Sequence, residues 1–217
     1  KYTKILEEII SPNQSDIEKE IAIHDYLVDN INYVDTGDSS YNAYSALING
    51  IAVCSGYTEC FKTLLDMLGI ENATISGEAG GQQHIWNVVN LDNHWYHVDV
   101  TWDDPVGSSS DYIDHSYFNI SADDMALDHT WDRSRYSAYE KCGAKYSYCR
   151  YKKLPLISNV NQLNKLIYST VKNKTAHIEF TTTYNADLKE AISRTGQQLS
   201  YSCLLYTSPS PRDAHES

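Results

Sequence analysis

A cysteine stands where a helix is predicted to begin, in the stretch AVCSGY at residues 52–57. The N-terminus of a helix carries partial positive charge, which stabilises a negatively charged sulfur at Cys54. Gly56 has no side chain and lets another group approach the backbone there. The opposite interpretation is a structural thiol, since free cysteine is among the most buried residue types. A nucleophilic role therefore requires partners elsewhere in the chain.

Two residues downstream could supply those partners, the imidazole of His84 and the carboxylate of Asp99. With a cysteine they would form a site in which the thiolate attacks an acyl carbon. The imidazolium would protonate the leaving amine, and the carboxylate would orient the ring. This chemistry requires the two side chains to lie on one face of a single sheet.

Alternation of apolar and polar residues predicts two strands, HIWNVVN and HWYHVDVTW, joined by a tight turn at residues 92–93. With that register His84 and Asp99 are diagonal neighbours on the same face, within reach of each other. A slip of one residue would put them on opposite faces. His97 shares this face and is the rival general base. Before the hairpin, NATIS at 72–76 predicts a short strand, followed by the flexible loop GEAGG.

Two helices are predicted ahead of these strands. Ser15 and Glu18 form the S-x-x-E pattern of a capping box, at the start of an amphipathic segment over 15–31. Apolar residues at helical spacing predict a second helix over 56–68. Cys54 then lies at or just before the N-terminus of this second helix.

Three aromatic residues near the motifs are candidates for substrate contact, namely Trp86, Trp102 and Tyr44. The alternative for the tryptophans is packing in the core or in the wall of a cleft. An oxyanion formed during attack would need two donors. The backbone N–H of Cys54 is one candidate, and Tyr44 or a tryptophan is the other.

An acidic run dotted with histidine follows the hairpin. Its members are Asp111, Asp114, His115, Asp123, Asp124, Asp128 and His129. The run lacks the ligand spacing of an EF-hand, so we interpret it as a solvated loop and helix face. We predict no metal and no cofactor.

The chain has 17 basic and 29 acidic residues and a net charge of -12, which argues against binding to nucleic acid or to an anionic membrane. No apolar run reaches the roughly 18 residues that a membrane span needs. The cysteines are too few for a disulfide scaffold. We predict Cys60 to be a core thiol. Cys142 and Cys149 could form a disulfide if the chain is secreted, and the sequence leaves this open.

The pattern changes after Pro155, where the sequence predicts a helix over 159–173, a strand over 176–184 and a helix over 185–196. A unit of this size cannot bury both of its faces alone. We therefore expect residues 151–202 to be the start of a truncated second α/β domain. The alternative is a C-terminal subdomain that packs on the first.

Both ends of the chain carry signs of truncation. The stretch CLLYTSPSPRD resembles the translated read-through of a sequencing-library adapter, as at the ends of metagenomic gene fragments, so we expect residues 203–217 not to be native. The chain opens at Lys1 without a methionine, which is typical of a fragment. We expect residues 1–150 to be the domain that carries the candidate site.

Three blocks of sequence, taken together, resemble the transglutaminase-like superfamily, and in particular its bacterial, papain-like branch. They are GIAVCSGY heading a helix, HIWN on one strand and WYHVDVTW on the next. The resemblance covers roughly residues 15–130. It implies an α+β fold in which the nucleophile helix packs on an antiparallel sheet. It also implies that Cys54 is the nucleophile, His84 the general acid and base, and Asp99 the orienting carboxylate.

We therefore predict a cysteine enzyme that forms an acyl-thioester on Cys54 from a peptide or a glutamine side-chain amide. Hydrolysis, as in a peptidase or amidase, is slightly favoured over transfer to an amine. The alternative is an inactive cell-surface binding module that keeps the fold, and the intact triad argues against it. The resemblance favours a protein or peptide substrate and an extracellular or cell-surface location. The sequence leaves the oligomeric state open.

Overall fold

The computed structural model describes five stretches of the chain, which are residues 1–35, 42–104, 113–173, 177–182 and 200–205. It divides into two compact units, one of the described residues up to Tyr148 and one of those from Cys149 onward. None of the helices in the described stretches combines the length and the apolar character needed to cross a bilayer.

The first unit combines helices with an antiparallel sheet. Its helices are α1 (Tyr2–Ile9), α2 (Asp16–Asn30), α3 (Ala43–Asn49), α4 (Cys54–Met67) and α5 (Ala122–Met125). Its strands are β1 (Asn32–Tyr33), β2 (Ile51–Ala52), β3 (Asn72–Ala79), β4 (Gln82–Leu91), β5 (His94–Val98) and β6 (His129–Thr130). The sheet has the order β5-β4-β3-β6, while β1 and β2 form a separate parallel pair. Because α4 packs on β3 and β4, the predicted α+β arrangement of helix and antiparallel sheet is confirmed.

The helix predicted over 15–31 is α2, and its capping box is confirmed. The Glu18 side chain accepts a hydrogen bond from the Ser15 backbone N–H at 2.7 Å. The apolar positions Ile17, Ile21 and Leu27 are buried, and this face of α2 packs against α4. The capping box therefore fixes the first turn of α2, which packs against the candidate nucleophile helix α4.

The candidate nucleophile helix, α4, begins two residues earlier than predicted. Cys54 is its first residue and Val53 its N-cap, so the N–H of Cys54 has no acceptor within the helix. The predicted apolar stripe is confirmed, since Tyr57, Phe61 and Leu64 are fully buried. Burial of such a side chain contributes roughly 1.5–3 kcal/mol. This packing holds α4, and thereby Cys54, against the sheet.

The predicted hairpin register is confirmed. Strands β4 and β5 pair with Leu91 opposite His94. The two turn residues, 92 and 93, have φ angles of 53° and 60°, the left-handed conformations that a two-residue type I′ turn requires. The pairing ends at Val98, so Asp99 follows directly after the last paired residue of β5.

Strand β3 is longer than predicted. The predicted strand ended at Ser76, whereas β3 runs on to Ala79. A Cβ atom at Gly77 would lie 2.2 Å from the carbonyl oxygen of Thr130. Only glycine therefore lets β6 approach β3 this closely, which is a recognised use of glycine inside a strand. The segment that looked like a loop in the sequence instead docks β6 onto the sheet.

The second unit contains a parallel sheet. After a short helix α6 (Tyr148–Tyr151), its elements are β7 (Leu156–Ile157), α7 (Val160–Lys172), β8 (His177–Thr182) and β9 (Ser200–Leu205). The strand order is β7-β8-β9, and α7 and β8 confirm the predicted helix and strand. The helix predicted over 185–196 lies outside the described residues. Ile157, Leu163, Ile167 and Phe180 form the core.

Candidate active site

Cys54 lies at the wall of a cavity of about 290 Å³ in the first unit. The described residues that line this cavity are Tyr33, Cys54, Ala79, Gly80, Gln82, Gln83, His84, Thr101 and Trp102. Helix α4 and strand β4 thus both contribute residues to the lining of this cavity. Cys54 itself is partly exposed, so a substrate can reach its thiol.

His84 connects the cysteine to the carboxylate. Its Nε2 lies 2.5 Å from Asp99 Oδ2, and the ring also forms a hydrogen bond with the Cys54 thiol. Burial opposes a positive charge on the ring. The hydrogen bonds and the negative charges of Asp99 and Cys54 outweigh burial, and they raise the His84 pKa from 6.5 to about 9. The ring is therefore an imidazolium at neutral pH.

Asp99 is fully engaged by hydrogen-bond donors. Its Oδ1 accepts from the backbone N–H groups of Thr101 and Trp102 at 3.1 and 3.2 Å. Its Oδ2 faces both His84 and a second histidine, His129. Burial favours the neutral carboxyl, but the hydrogen bonds from the two histidines outweigh it and hold the Asp99 pKa below its ordinary range. Asp99 is therefore an oriented carboxylate.

Of the other residues predicted to belong to the site, some lie at the cavity and others do not. Trp102 lines the cavity, whereas Trp86 is fully buried and donates from Nε1 to His97 Nδ1 at 3.0 Å. Burial and the charges of two neighbours lower the His97 pKa to about 3, so its ring is neutral, and it is not among the described residues at the cavity. Tyr44 lies on α3 with 71% of its surface exposed, also outside the described lining.

Sequence reasoning missed His129. The acidic run that contains it is predicted to be a solvated face, and this prediction is wrong for both histidines of the run, since His115 and His129 are 4% and 1% exposed. His129 lies in β6, which pairs with β3, and its Nε2 is 3.1 Å from Asp99 Oδ2. The one available signal was Gly77, because a glycine within a strand indicates the close approach of another backbone.

A second histidine–aspartate cluster supports the turn that carries Asp99. His24 of α2 is fully buried, and its ring nitrogens lie 3.0 Å from Asp25 Oδ1 and 3.1 Å from Asp103 Oδ2. Burial opposes its charge, but the two carboxylates raise its pKa to about 9. Asp103 also accepts from the Tyr117 N–H at 2.8 Å, and its own N–H donates to the Asp99 carbonyl. These bonds fix the backbone on either side of Trp102.

Two groups of side chains in the described stretches converge closely enough to hold a metal ion. They are His84 with Asp99 and His129, and His24 with Asp25 and His115. In both groups the nitrogens and carboxylate oxygens already form hydrogen bonds with each other. These hydrogen bonds hold the side chains of each group together. The expectation that the chain needs no metal stays a prediction.

Comparison with known proteins gives one family match. Residues 3–100 match the model of the transglutaminase-like superfamily. This segment belongs to the transglutaminase-like superfamily. Cys54, His84 and Asp99 lie within the transglutaminase-like segment, whereas His129 lies beyond it. No curated protein matches the chain.

The solved structures that are similar to the chain include two candidate proteases and a TGase. A candidate cysteine protease from Cytophaga hutchinsonii is 18% identical, with a TM-score of 0.41, over 46% of this chain and 36% of that one. A structure named as a TGase is 16% identical, with a TM-score of 0.43, over 72% and 38%. A candidate protease from Parabacteroides distasonis is 11% identical, with a TM-score of 0.37, over 46% and 26%. The chain thus spans less than half the length of each of these structures.

Proposed function

We propose that the first unit is a cysteine enzyme in which Cys54 is the nucleophile, His84 the general acid and base, and Asp99 the orienting carboxylate. One observation carries this proposal. The His84 ring forms a hydrogen bond with the Cys54 thiol and another with Asp99 Oδ2, beside a cavity. The order thiol, imidazole, carboxylate is the arrangement that activates a nucleophile in thiol and serine hydrolases.

The first half-reaction forms an acyl-thioester. The Cys54 sulfur attacks the carbonyl carbon of a peptide or of a glutamine side-chain amide, and a C–S bond forms. The Cys54 backbone N–H, which has no acceptor within its helix, donates to the oxyanion. When the C–N bond breaks, the proton of the His84 imidazolium passes to the leaving nitrogen. An amine or ammonia departs, and His84 is left neutral.

The second half-reaction regenerates the thiolate. Neutral His84 takes a proton from the attacking nucleophile, the new bond to carbon forms and the C–S bond breaks. Water gives a carboxylic acid, and a primary amine gives a new amide. We favour water slightly, because Cys54 is partly exposed and an amine competes with water only where the thioester is shielded from solvent.

Away from Cys54 and His84, the cavity suits an uncharged substrate group. Among its described lining residues none is an aspartate, glutamate, lysine or arginine. Its lining includes the aromatic rings of Tyr33 and Trp102 and the carboxamides of Gln82 and Gln83. Aromatic walls with a few polar groups are typical of sites that hold an organic ligand in one orientation. We therefore assign substrate contact to Trp102 and Tyr33, and the substrate class to proteins or peptides.

Mass spectrometry of a peptide library incubated with the full chain and a primary amine tests this function. We expect cleaved or deamidated peptides to exceed amine adducts. Cys54→Ala should abolish both kinds of product. Cys60→Ala is the matched control, because Cys60 lies on the same helix but is fully buried, and this variant should keep the activity. A folded wild-type chain that yields no product would overturn the proposal and favour an inactive binding module.

A further inference from the structure

His129 bridges two carboxylates inside the first unit. Its Nε2 lies 3.1 Å from Asp99 Oδ2, and its Nδ1 lies 2.6 Å from Asp128 Oδ1. A carboxylate can only accept hydrogen bonds, so each ring nitrogen needs a hydrogen to make its bond. A ring with both hydrogens carries a positive charge. The outer carboxylate is itself fixed, because the Tyr117 hydroxyl donates to Asp128 Oδ2 at 2.6 Å.

The charged groups around Asp99 therefore alternate in sign along one chain of hydrogen bonds. From the cavity inward this chain runs through the Cys54 thiol, the His84 imidazolium, the Asp99 carboxylate, the His129 ring with a carboxylate at each nitrogen, and the Asp128 carboxylate. Neighbouring charges of opposite sign stabilise each other. A positive charge on one side of a carboxylate also weakens the attraction of that carboxylate for a positive charge on its other side. The two rings lie 5.7 Å apart between centroids.

Aromatic side chains surround this part of the chain of hydrogen bonds. The His129 ring lies 5.1 Å from Trp86, 4.5 Å from Trp102 and 5.5 Å from Tyr117, measured between centroids. Its own side chain is 0% exposed. Electrostatic interactions in such surroundings are stronger than in water. The charge of His129 is therefore felt at both Asp99 and His84.

The other titratable and charged neighbours in the described residues do not supply a second positive charge beside Asp99. Burial, together with the charges of His129 and Arg133, lowers the pKa of His97 on β5, so the His97 ring is neutral. The Arg133 guanidinium forms ion pairs with Asp123 and Glu140. Within the described residues, His129 is thus the second cationic group on the Asp99 carboxylate, beside His84.

We propose that His129 is a positioning residue of the catalytic centre, which holds Asp99 in place and limits how tightly Asp99 retains the proton on His84. This inference rests on the proposed cysteine-enzyme function. A triad carboxylate alone would hold the proton on His84 tightly and slow the first half-reaction, in which His84 must give that proton to the leaving nitrogen. The second histidine shares the carboxylate and weakens that hold.

The sign of the effect follows from the charges. Replacement of His129 by glutamine keeps a donor for Asp99 Oδ2 but removes the positive charge. The His84 pKa should then rise, by roughly one to two pH units for a unit charge at this distance in an effective dielectric of about 20. The pH at which activity falls on the alkaline side of the pH profile should rise by the same amount as the His84 pKa. Turnover should fall roughly tenfold with KM unchanged, because His129 is absent from the described cavity lining.

NMR titration of the histidine ring protons of the full chain measures this pKa directly, without any need for turnover. His97→Gln is the matched control, since His97 is a fully buried histidine on the same sheet and should leave the His84 pKa unchanged. A peptide found in the library screen then gives kcat, KM and the pH profile. Circular dichroism checks the fold, and His129→Asn serves as the second variant.

The outcomes separate the two proposals. An upward shift of the His84 pKa in His129→Gln but not in His97→Gln supports the positioning role. An unchanged or lower pKa overturns it, even in an active enzyme. Unfolding of both His129 variants, with His97→Gln folded, also overturns it and makes His129 a structural residue. If wild-type Cys54 forms no thioester with any peptide, the proposed function fails, whatever the titration shows.

Discussion

Replacement of Asp99 by asparagine tests whether this carboxylate sets the charge of His84. The His84 pKa is raised from 6.5 to about 9 in the folded protein. A histidine with a raised pKa stabilises the fold fully below its unfolded pKa, and this stabilisation is lost as the pH rises through the folded pKa. The stabilisation that His84 contributes to the fold is therefore lost between pH 6.5 and about 9.

The magnitude follows from the size of the shift. Each pKa unit corresponds to about 1.4 kcal/mol, so the raised pKa contributes about 3 kcal/mol. The His84 side chain is only 8% exposed, so solvent screens this interaction little. Asparagine keeps an oxygen for the N–H groups of Thr101 and Trp102 but has no negative charge. We expect the pH-dependent loss in the free energy of unfolding to be about 2–3 kcal/mol smaller in Asp99→Asn.

Urea unfolding between about pH 6 and about pH 10 measures this difference. His24 also has a pKa of about 9, but it is present in both proteins and cancels in the comparison. Asp92→Asn, at an exposed position on the same hairpin, is the matched control and should lose stability as the wild type does. An Asp99→Asn curve parallel to that of the wild type would refute the pairing of Asp99 with His84.

Three further predictions concern the same unit. Iodoacetamide should label Cys54 much faster than Cys60, whose pKa is raised to about 12, mainly by burial; equal rates would argue against a nucleophilic Cys54. His84→Ala should remove nearly all turnover, while His97→Ala should only disturb packing; the reverse result would show that the wrong histidine was assigned. Gly77→Ala should push β6 away from β3 and cost about 1–3 kcal/mol in urea unfolding, and an unchanged stability would contradict this close approach.

Features that depend on neighbouring residues were predictable from the sequence. The capping box at Ser15 and Glu18 involves residues three apart. The hairpin register follows from a two-residue turn whose residues, 92 and 93, adopt left-handed conformations. Helix α1 was missed, because its N-cap, Lys1, makes no side-chain capping bond and leaves no such pattern in the sequence. Local chemistry thus sufficed to predict that His84 and Asp99 lie on one sheet face.

Which of the residues on that face reach the cavity was decided only by tertiary packing. His84 and His97 share the face, and their own strands do not distinguish them. Trp131, just after β6, packs on Trp86 and lies 5.1 Å from His97 between ring centroids. His97 is therefore covered, while His84 remains at the cavity.

His129 reaches Asp99 for the same reason. The two residues are 30 positions apart in the chain, and no periodicity within either segment relates them. What joins them is the pairing of β6 with the end of β3, which the missing side chain of Gly77 permits. The sequence by itself determined the thiol, the imidazole, the carboxylate and the strands that carry the last two. The tertiary structure decided which second histidine shares the carboxylate, because that contact depends on the approach of two distant backbones.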